Sequence, residues 1–384
     1  MTTPYILFRN DKTKDAMVFT DPVEIIVART AQEVIPALER LDQARAAGYW
    51  VAGALSYEAG FVFEDKLRPH VPEGRDTPLL QFGVFHAPAD SDHALAQPLQ
   101  IGLNEPMISN PRAGWDLETY TQRFDRLHQH LRQGDCYQAN LTMPIEADYH
   151  GTAQEVFWSL IERQPVSYGA LVDLGGPVIV SRSPELLFRV DDEGFIETHP
   201  MKGTAARGIS VAEDEAIKAT MLADEKTLAE NRMIVDLLRN DISRLIEVGS
   251  LSVPKLFDIE TYPTVHQMVS HVRGKLLPDM GLGEIMAALF PCGSITGAPK
   301  LSAMQILHQL ETGPRDVYCG AIGYCAPKRT MCFSVTIRTL TLFKHSRAVF
   351  NVGGGIVFDS DARAEYDECL LKARFAVGDQ WISR

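Results

Sequence analysis

The sequence predicts an α+β fold built on antiparallel sheets. Strand-like runs cluster near the N-terminus and dominate again from the 130s to about residue 200. "TMCFSVTIRTLTLF" alternates, with Met331, Phe333, Val335 and Ile337 on one side and Cys332, Ser334, Thr336 and Arg338 on the other. The helical segments between these runs are uneven, so the regular βαβ repeat of a doubly wound parallel sheet is missing.

Each element follows from local pattern. "YILFRN" reads as a strand, and residues 31–47 as a helix with Val34, Leu38 and Leu41 on one face. "YWVAGALSYE" and "LLQFGVFHAP" read as further strands. Residues 87–112 carry Pro88, Pro98, Pro106 and Pro111 with little periodicity, which predicts a connection. Tyr120, Phe124, Leu127 and Leu131 predict a helix over about 116–133, with Gly134 as its stop. One long helix is expected over 213–247, a short one at "LGEIMAALF", another from near Pro299, and a last one over about 361–377. The expected domains are an N-terminal subdomain over 1–110 and a catalytic domain over 111–384.

Composition narrows the function. A chain of 384 residues suggests two or three domains at about 150 residues each. The net charge of −13 argues against nucleic acid or an anionic membrane as partner, so an anionic substrate would need a local cluster of Lys and Arg, or a metal. "MTTPYILFRNDKTKD" lacks the basic and apolar regions of a signal peptide, and no apolar run approaches the ~20 residues of a membrane span. Cys136, Cys292, Cys319, Cys325, Cys332 and Cys369 form no CxxC pair. Scattered thiols of this kind fit a reducing compartment, and the expected location is the cytoplasm.

Several residues stand out against this background. Glu230 leads the apolar series Met233, Ile234, Leu237 and Leu238, at +3, +4, +7 and +8. That spacing puts a carboxylate on an inward face, although a Glu at the edge of the stripe can also reach solvent. Glu365, Glu368 and Lys372 fall at i, i+3 and i+7 of the last helix. A solvated Glu368–Lys372 pair would be worth only about 0.3–0.5 kcal/mol. Taken together, the two helices offer hard oxygen ligands to one cation, and Mg²⁺ suits one or two carboxylates completed by an anionic substrate. "CGSITGAPK" precedes a helix, where free N–H groups favour an anion, but it lacks the spacing of a Walker A loop. "VFNVGGGIVFDS" lacks the GxGxxG spacing. Either stretch is a bulge or turn, or a place where backbone amides approach a carboxylate. His266, in "TVHQM", reads on its own as structural. "HPMKGTAARG" places Lys202 in a turn-like setting that does not need an amine.

"SRSPELL", "HPMKGTAARG", "AENRMIVDLLRND", "GSITGAPK", "YCGAIGY", "VTIRTL", "VGGGIVFDS" and "AEYDECLLKAR" occur in the order found in chorismate-utilising enzymes. The chain resembles that family over roughly 115–378, and its aminodeoxychorismate synthase branch in particular. The resemblance implies a two-layer antiparallel β-sandwich with peripheral helices, as in anthranilate synthase component I, with the active site between the layers. It also implies Mg²⁺-dependent amination of chorismate to 4-amino-4-deoxychorismate, on the way to 4-aminobenzoate and folate. Ammonia would come from glutamine through a separate glutamine amidotransferase subunit, and an aminodeoxychorismate lyase would act on the product.

The resemblance further implies a role for each site residue. Glu230 and Glu368 resemble the direct metal ligands, with Glu365 beside them. The family often has an acidic residue three positions before Glu230, where this chain has Thr227. Arg338 resembles the partner of a substrate carboxylate, with Tyr318, Lys372, Thr296, His266 and the amides of Gly353, Gly354 and Gly355 as further contacts. Anthranilate synthases carry alanine where this chain has Lys202. In the aminodeoxychorismate branch the lysine is a nucleophile toward ring C2, or else it binds the substrate carboxylate without covalent chemistry. Glu185 resembles the acid that protonates the departing hydroxyl. Isochorismate and salicylate synthases place a base lysine where this chain has Gln138, so the incoming group is expected to be ammonia rather than water.

Overall fold

The computed structural model describes residues 3–72, 74–90, 92–99, 107–262 and 265–378. Their helices are α1 (Ala31–Ala46), α2 (Leu117–Gln133), α3 (Ala153–Ser159), α4 (Val211–Ala223), α5 (Glu225–Ser243), α6 (Leu282–Leu289), α7 (Lys300–Leu310) and α8 (Ala362–Val377).

The strands form two sheets whose strand pairs are antiparallel. The nine-stranded first sheet runs Gly297–Ala298, Gln138–Tyr149, Arg347–Ile356, Thr339–Leu342, Val178–Ser183, Tyr168–Asp173, Tyr5–Arg9, Ala16–Thr20, and Ile108–Ala113 also pairs with Gln138–Tyr149. The ten-stranded second sheet runs Met201–Ala206, Val265–Lys275, Phe195–His199, Leu186–Val190, Met331–Val335, Ala321–Cys325, Trp50–Leu55, Leu80–Phe85, Glu24–Ala28, and Ser252–Thr261 also pairs with Val265–Lys275. The two sheets pack face to face through Ile6, Phe19, Ala170 and Val172 of the first and Ala52, Ala54, Phe85 and Ile322 of the second. Such aligned packing needs both inner faces to be apolar.

Helices cover the outer faces. Val34, Leu38 and Leu41 of α1 pack with α5 and α6 on the second sheet, while α2, α3, α7 and α8 cover the first. Each buried Leu, Ile or Phe on these faces contributes about 1.5–3 kcal/mol, which fixes helix orientation against the sandwich. The described part of the N-terminal region contributes strands to both layers. Tyr5–Arg9 pairs with Tyr168–Asp173, and Trp50–Leu55 pairs with Ala321–Cys325.

Four local expectations change. The helix expected over 213–247 is two, α4 and α5, broken at Asp224 with ψ of 96°. Asp224 accepts from the Thr227 hydroxyl, a local side-chain bond that favours a helix start over a helix interior. The run "TMCFSVTIRTLTLF" is not one strand. Met331–Val335 belongs to the second sheet and Thr339–Leu342 to the first, and the chain crosses between them with Arg338 at φ of 51°. Helix α3 lies within a region where strand-like runs were expected to dominate. Thr152 and Glu155 cap it reciprocally, Glu155 N donating to Thr152 Oγ1 at 3.2 Å and Thr152 N to Glu155 Oε2 at 2.6 Å. In the connection expected over 87–112, Ile108–Ala113 is a strand, and residues 91 and 100–106 lie outside the described residues.

Candidate active site

A cleft of about 690 Å³ opens between the sheets, lined by Glu185, Lys202, Glu230, Arg338, Glu368 and Lys372 among others. A cavity of about 720 Å³ elsewhere between the layers contains none of the sequence-predicted site residues, so the chemistry selects the smaller space.

Lys202 stands on the strand Met201–Ala206, which faces α5. Its amine lies 3.8 Å from Glu230 Oε2, and both side chains are mostly buried. Burial holds the Lys202 pKa below its ordinary value, and the nearby Lys372 charge adds to that. Glu230 pulls the other way, but desolvation outweighs it.

Glu185 is 5% exposed, just after the strand Val178–Ser183. Burial pushes its carboxyl up to about 7, although Ser294 Oγ donates to its Oε1 at 2.7 Å and favours the anion. A carboxyl with that value is partly protonated near neutrality and can serve as an acid. Arg338, in the sheet-to-sheet crossing, lines the cleft. Among the described residues it makes no ion pair, which leaves the fork open to a substrate carboxylate.

The acidic side comes from α5 and α8. Glu365 Oε1 accepts from Ser360 Oγ at 2.7 Å, and burial raises its carboxyl. Lys372 Nζ donates to Glu368 Oε1 at 2.7 Å and to Gly353 O at 2.8 Å. Glu230, Glu365 and Glu368 therefore line one cleft with oxygen donors only, a set that fits a hard divalent cation. Among the described residues no three acidic, His or Cys side chains already converge as a metal cluster. Glu230 and Glu368 instead face Lys202 and Lys372.

The three glycines form neither a bulge nor a turn. Gly353, Gly354 and Gly355 pair in regular register with Thr142, Leu141 and Asn140. Their small size makes room. A Cβ on Gly354 would stand 2.7 Å from Glu365 Oε2, and one on Gly355 would stand 3.0 Å from Gln138 Nε2 and 3.2 Å from Lys202 Nζ. The active groups thus crowd directly onto bare backbone.

Residues 3–378 match the family of chorismate binding enzymes. The chain belongs to that family. It is 40% identical over 278 residues to aminodeoxychorismate synthase component 1 of Klebsiella aerogenes, covering 72% of this chain and 61% of that protein. It is 36% identical over 343 residues to anthranilate synthase component 1 of Methanothermobacter marburgensis, covering 84% and 73%. Against the aminodeoxychorismate synthase of Streptomyces pristinaespiralis it is 40% identical but spans 36% of that protein's length. Among solved structures, anthranilate synthase component I from Streptococcus pneumoniae superposes with a TM-score of 0.79 at 26% identity, covering 97% of this chain and 92% of that one. The β-sandwich with peripheral helices is thus the family fold.

The other sequence-predicted residues take different places. Tyr318, Gly353 and Gly355 line the cleft of this family member. Gln138 is fully buried beside Gly355, with both amide atoms lacking a hydrogen-bond partner. Thr296 lies outside the lining: it is fully buried, and its hydroxyl donates to Cys292 O at 2.9 Å. His266 is also fully buried and outside the lining, with Nε2 2.8 Å from Asp214 Oδ1 and Nδ1 3.1 Å from Thr261 Oγ1. Its sequence neighbour Gln267 points into the cleft instead, as alternation along a strand requires. Sequence reasoning missed Ser294, which sits inside the quoted "GSITGAPK", and Asn351, which shares the face of Gly353 and Gly355 at period two. No helix among the described residues is long and apolar enough to cross a membrane.

Proposed function

We propose that the cleft aminates chorismate at C4 to give 4-amino-4-deoxychorismate, as a component 1 supplied with ammonia by a separate glutamine amidotransferase. The observation that carries this reading is the buried Lys202 amine, with its lowered pKa, in the same cleft as Glu185 at about 7. A lysine tuned for nucleophilic attack and a carboxyl tuned for acid catalysis are what replacement of a hydroxyl requires.

Arg338 and Lys372 bind and orient the substrate carboxylates. The neutral amine of Lys202 attacks ring C2, the ring double bonds shift, and the C4 hydroxyl leaves as water with a proton from Glu185. Ammonia adds at C4, the double bonds shift back, and the C2–nitrogen bond to Lys202 breaks. The new C4 ammonium returns a proton to Glu185, so chorismate and ammonia give 4-amino-4-deoxychorismate and water. Gln138 has no basic group to activate water near neutral pH, which favours ammonia as the incoming nucleophile. Glu230 and Glu368, with Glu365, would hold Mg²⁺, which supplies a positive charge opposite a substrate carboxylate.

The test is product identity. Purified protein, chorismate, Mg²⁺ and an ammonium salt at mildly alkaline pH should give a compound of the mass of 4-amino-4-deoxychorismate, which an aminodeoxychorismate lyase turns into 4-aminobenzoate. Anthranilate as product would overturn the C4 assignment, and isochorismate or salicylate would overturn ammonia as the nucleophile.

A further inference from the structure

The strand that carries Lys202 is irregular at that residue. Where Met201–Ala206 pairs with Val265–Lys275, Met201 lies opposite Val269 and Thr204 opposite Gln267. Three steps on the first strand therefore oppose two on the second, and the surplus residue forms a β-bulge at Lys202 and Gly203. A bulge of this kind re-aims side chains. In a regular strand Met201 and Thr204 would face opposite sides. Their partners Val269 and Gln267 are two apart and share one side, so the extra residue brings Met201 and Thr204 to the same side, with Lys202 between them. Lys202, Gly203, Thr204 and Gln267 all line the cleft.

The ladder is interrupted at a bulge, so other groups must satisfy the backbone there. Gly203 takes φ of 91°, a left-handed conformation that favours glycine. Its carbonyl accepts from Gln267 Nε2 at 2.9 Å. A carbonyl can only accept, so this contact fixes which end of the Gln267 amide is the nitrogen. The other end, Gln267 Oε1, accepts from Thr204 Oγ1 at 2.8 Å. One side-chain amide thus ties down both residues that follow Lys202. Helix α5 closes the opposite flank, since a Cβ on Gly203 would stand 2.5 Å from Thr227 Cγ2. Three residues along α5, Glu230 Oε2 lies 3.8 Å from the Lys202 amine.

We propose that Gln267 is a positioning residue for Lys202: its amide locks the bulge and so fixes where the amine stands in the cleft. This deepens the amination reading above and rests on it for what the amine does. Gln267 has no group that takes up a proton near neutral pH, which leaves it to bind or to position. Both ends of its amide are engaged by the strand that carries Lys202 rather than turned free into the cleft, so its bonds serve positioning.

The experiment releases the bulge and leaves Lys202 in place. Gln267→Leu removes both hydrogen bonds at similar volume. A reacting group misplaced by about 1 Å costs about 10²-fold, so kcat should fall about tenfold to hundredfold, with KM for chorismate within about twofold of wild type. Thr204→Val removes one of the two bonds and should lower kcat less. Added to Gln267→Leu it should change nothing further, because both bonds act through one amide. A second readout does not depend on turnover. In protein without substrate, the backbone amides of residues 201–206 should exchange hydrogen about tenfold faster in Gln267→Leu than in wild type. Unchanged exchange there overturns the lock, and wild-type kcat overturns positioning. A raised KM for chorismate with kcat near wild type makes Gln267 a substrate contact and overturns the proposal as well. If wild type fails to aminate chorismate but Gln267→Leu still speeds exchange at 201–206 alone, the lock stands and the amination reading falls.

Discussion

Replacing Glu185 with Gln separates stability from activity, because one buried carboxyl serves the site at the expense of the fold. Burial raises Glu185 from an ordinary 4.5 to about 7. The folded chain therefore holds this proton more tightly than the unfolded chain. The resulting stability is fully present below about pH 4.5 and is lost as pH rises toward 7. A shift of about 2.5 units at about 1.36 kcal/mol per unit corresponds to roughly 3 kcal/mol of stability missing at pH 8. The neutral amide of Glu185→Gln does not ionise and still accepts from Ser294. Its new N–H donors impose a cost that does not vary with pH. Urea denaturation of both proteins between pH 5 and 8.5 should show the variant gaining on wild type by about 2–3 kcal/mol across that range, while turnover falls by about 10²-fold or more. A stability difference that is flat with pH would refute the claim that Glu185 is a buried, titrating acid. Wild-type turnover in the variant would refute its catalytic role.

Other perturbations probe separate parts of the site. Ser294→Ala removes the bond that favours the Glu185 anion, so the alkaline limb of the kcat/KM profile should move up by about one pH unit. Arg338→Lys keeps the charge but loses the fork, and KM for chorismate should rise about tenfold or more with a smaller change in kcat. Gly354→Ala places a Cβ 2.7 Å from Glu365 Oε2, so the Mg²⁺ concentration for half-maximal activity should rise severalfold while chorismate binding without metal is unchanged. His266→Ala breaks a buried bond to Asp214, so the protein should lose about 2–4 kcal/mol of stability, with KM for chorismate unchanged in the folded enzyme.

How far the sequence reveals this protein depends on the range of the interaction. Local signals were readable. The 4-3-4 spacing of Tyr120, Phe124, Leu127 and Leu131 gives α2, and all four are buried. The spacing of Glu365, Glu368 and Lys372 puts them on one side of α8, and all three line the cleft. The boundaries that failed depend on tertiary structure. Nothing in the alternation of "TMCFSVTIRTLTLF" announces that its halves join different sheets, because each half satisfies period two alone. The break at Asp224 shows in its extended backbone, which a helical pattern running through it conceals. The cluster of Lys202, Glu185 and Arg338 joins residues far apart in sequence, and the family resemblance connects them where spacing does not. That resemblance also drew His266 and Thr296 toward the site, and both are fully buried and outside the cleft lining. The room made by Gly354 and Gly355 for Glu365, Gln138 and Lys202 appears only once three strands and helix α8 are in place.

Intact-protein mass spectrometry reads the chemistry of the Lys202 amine itself. Protein mixed with chorismate and Mg²⁺ without ammonia, then quenched rapidly, should gain the mass of chorismate less one water. Peptide mapping should place the adduct on Lys202, and Lys202→Ala should show none and should not aminate chorismate. Lys202→Ala protein that forms 4-amino-4-deoxychorismate at the wild-type rate, with no adduct on wild type, would contradict the account.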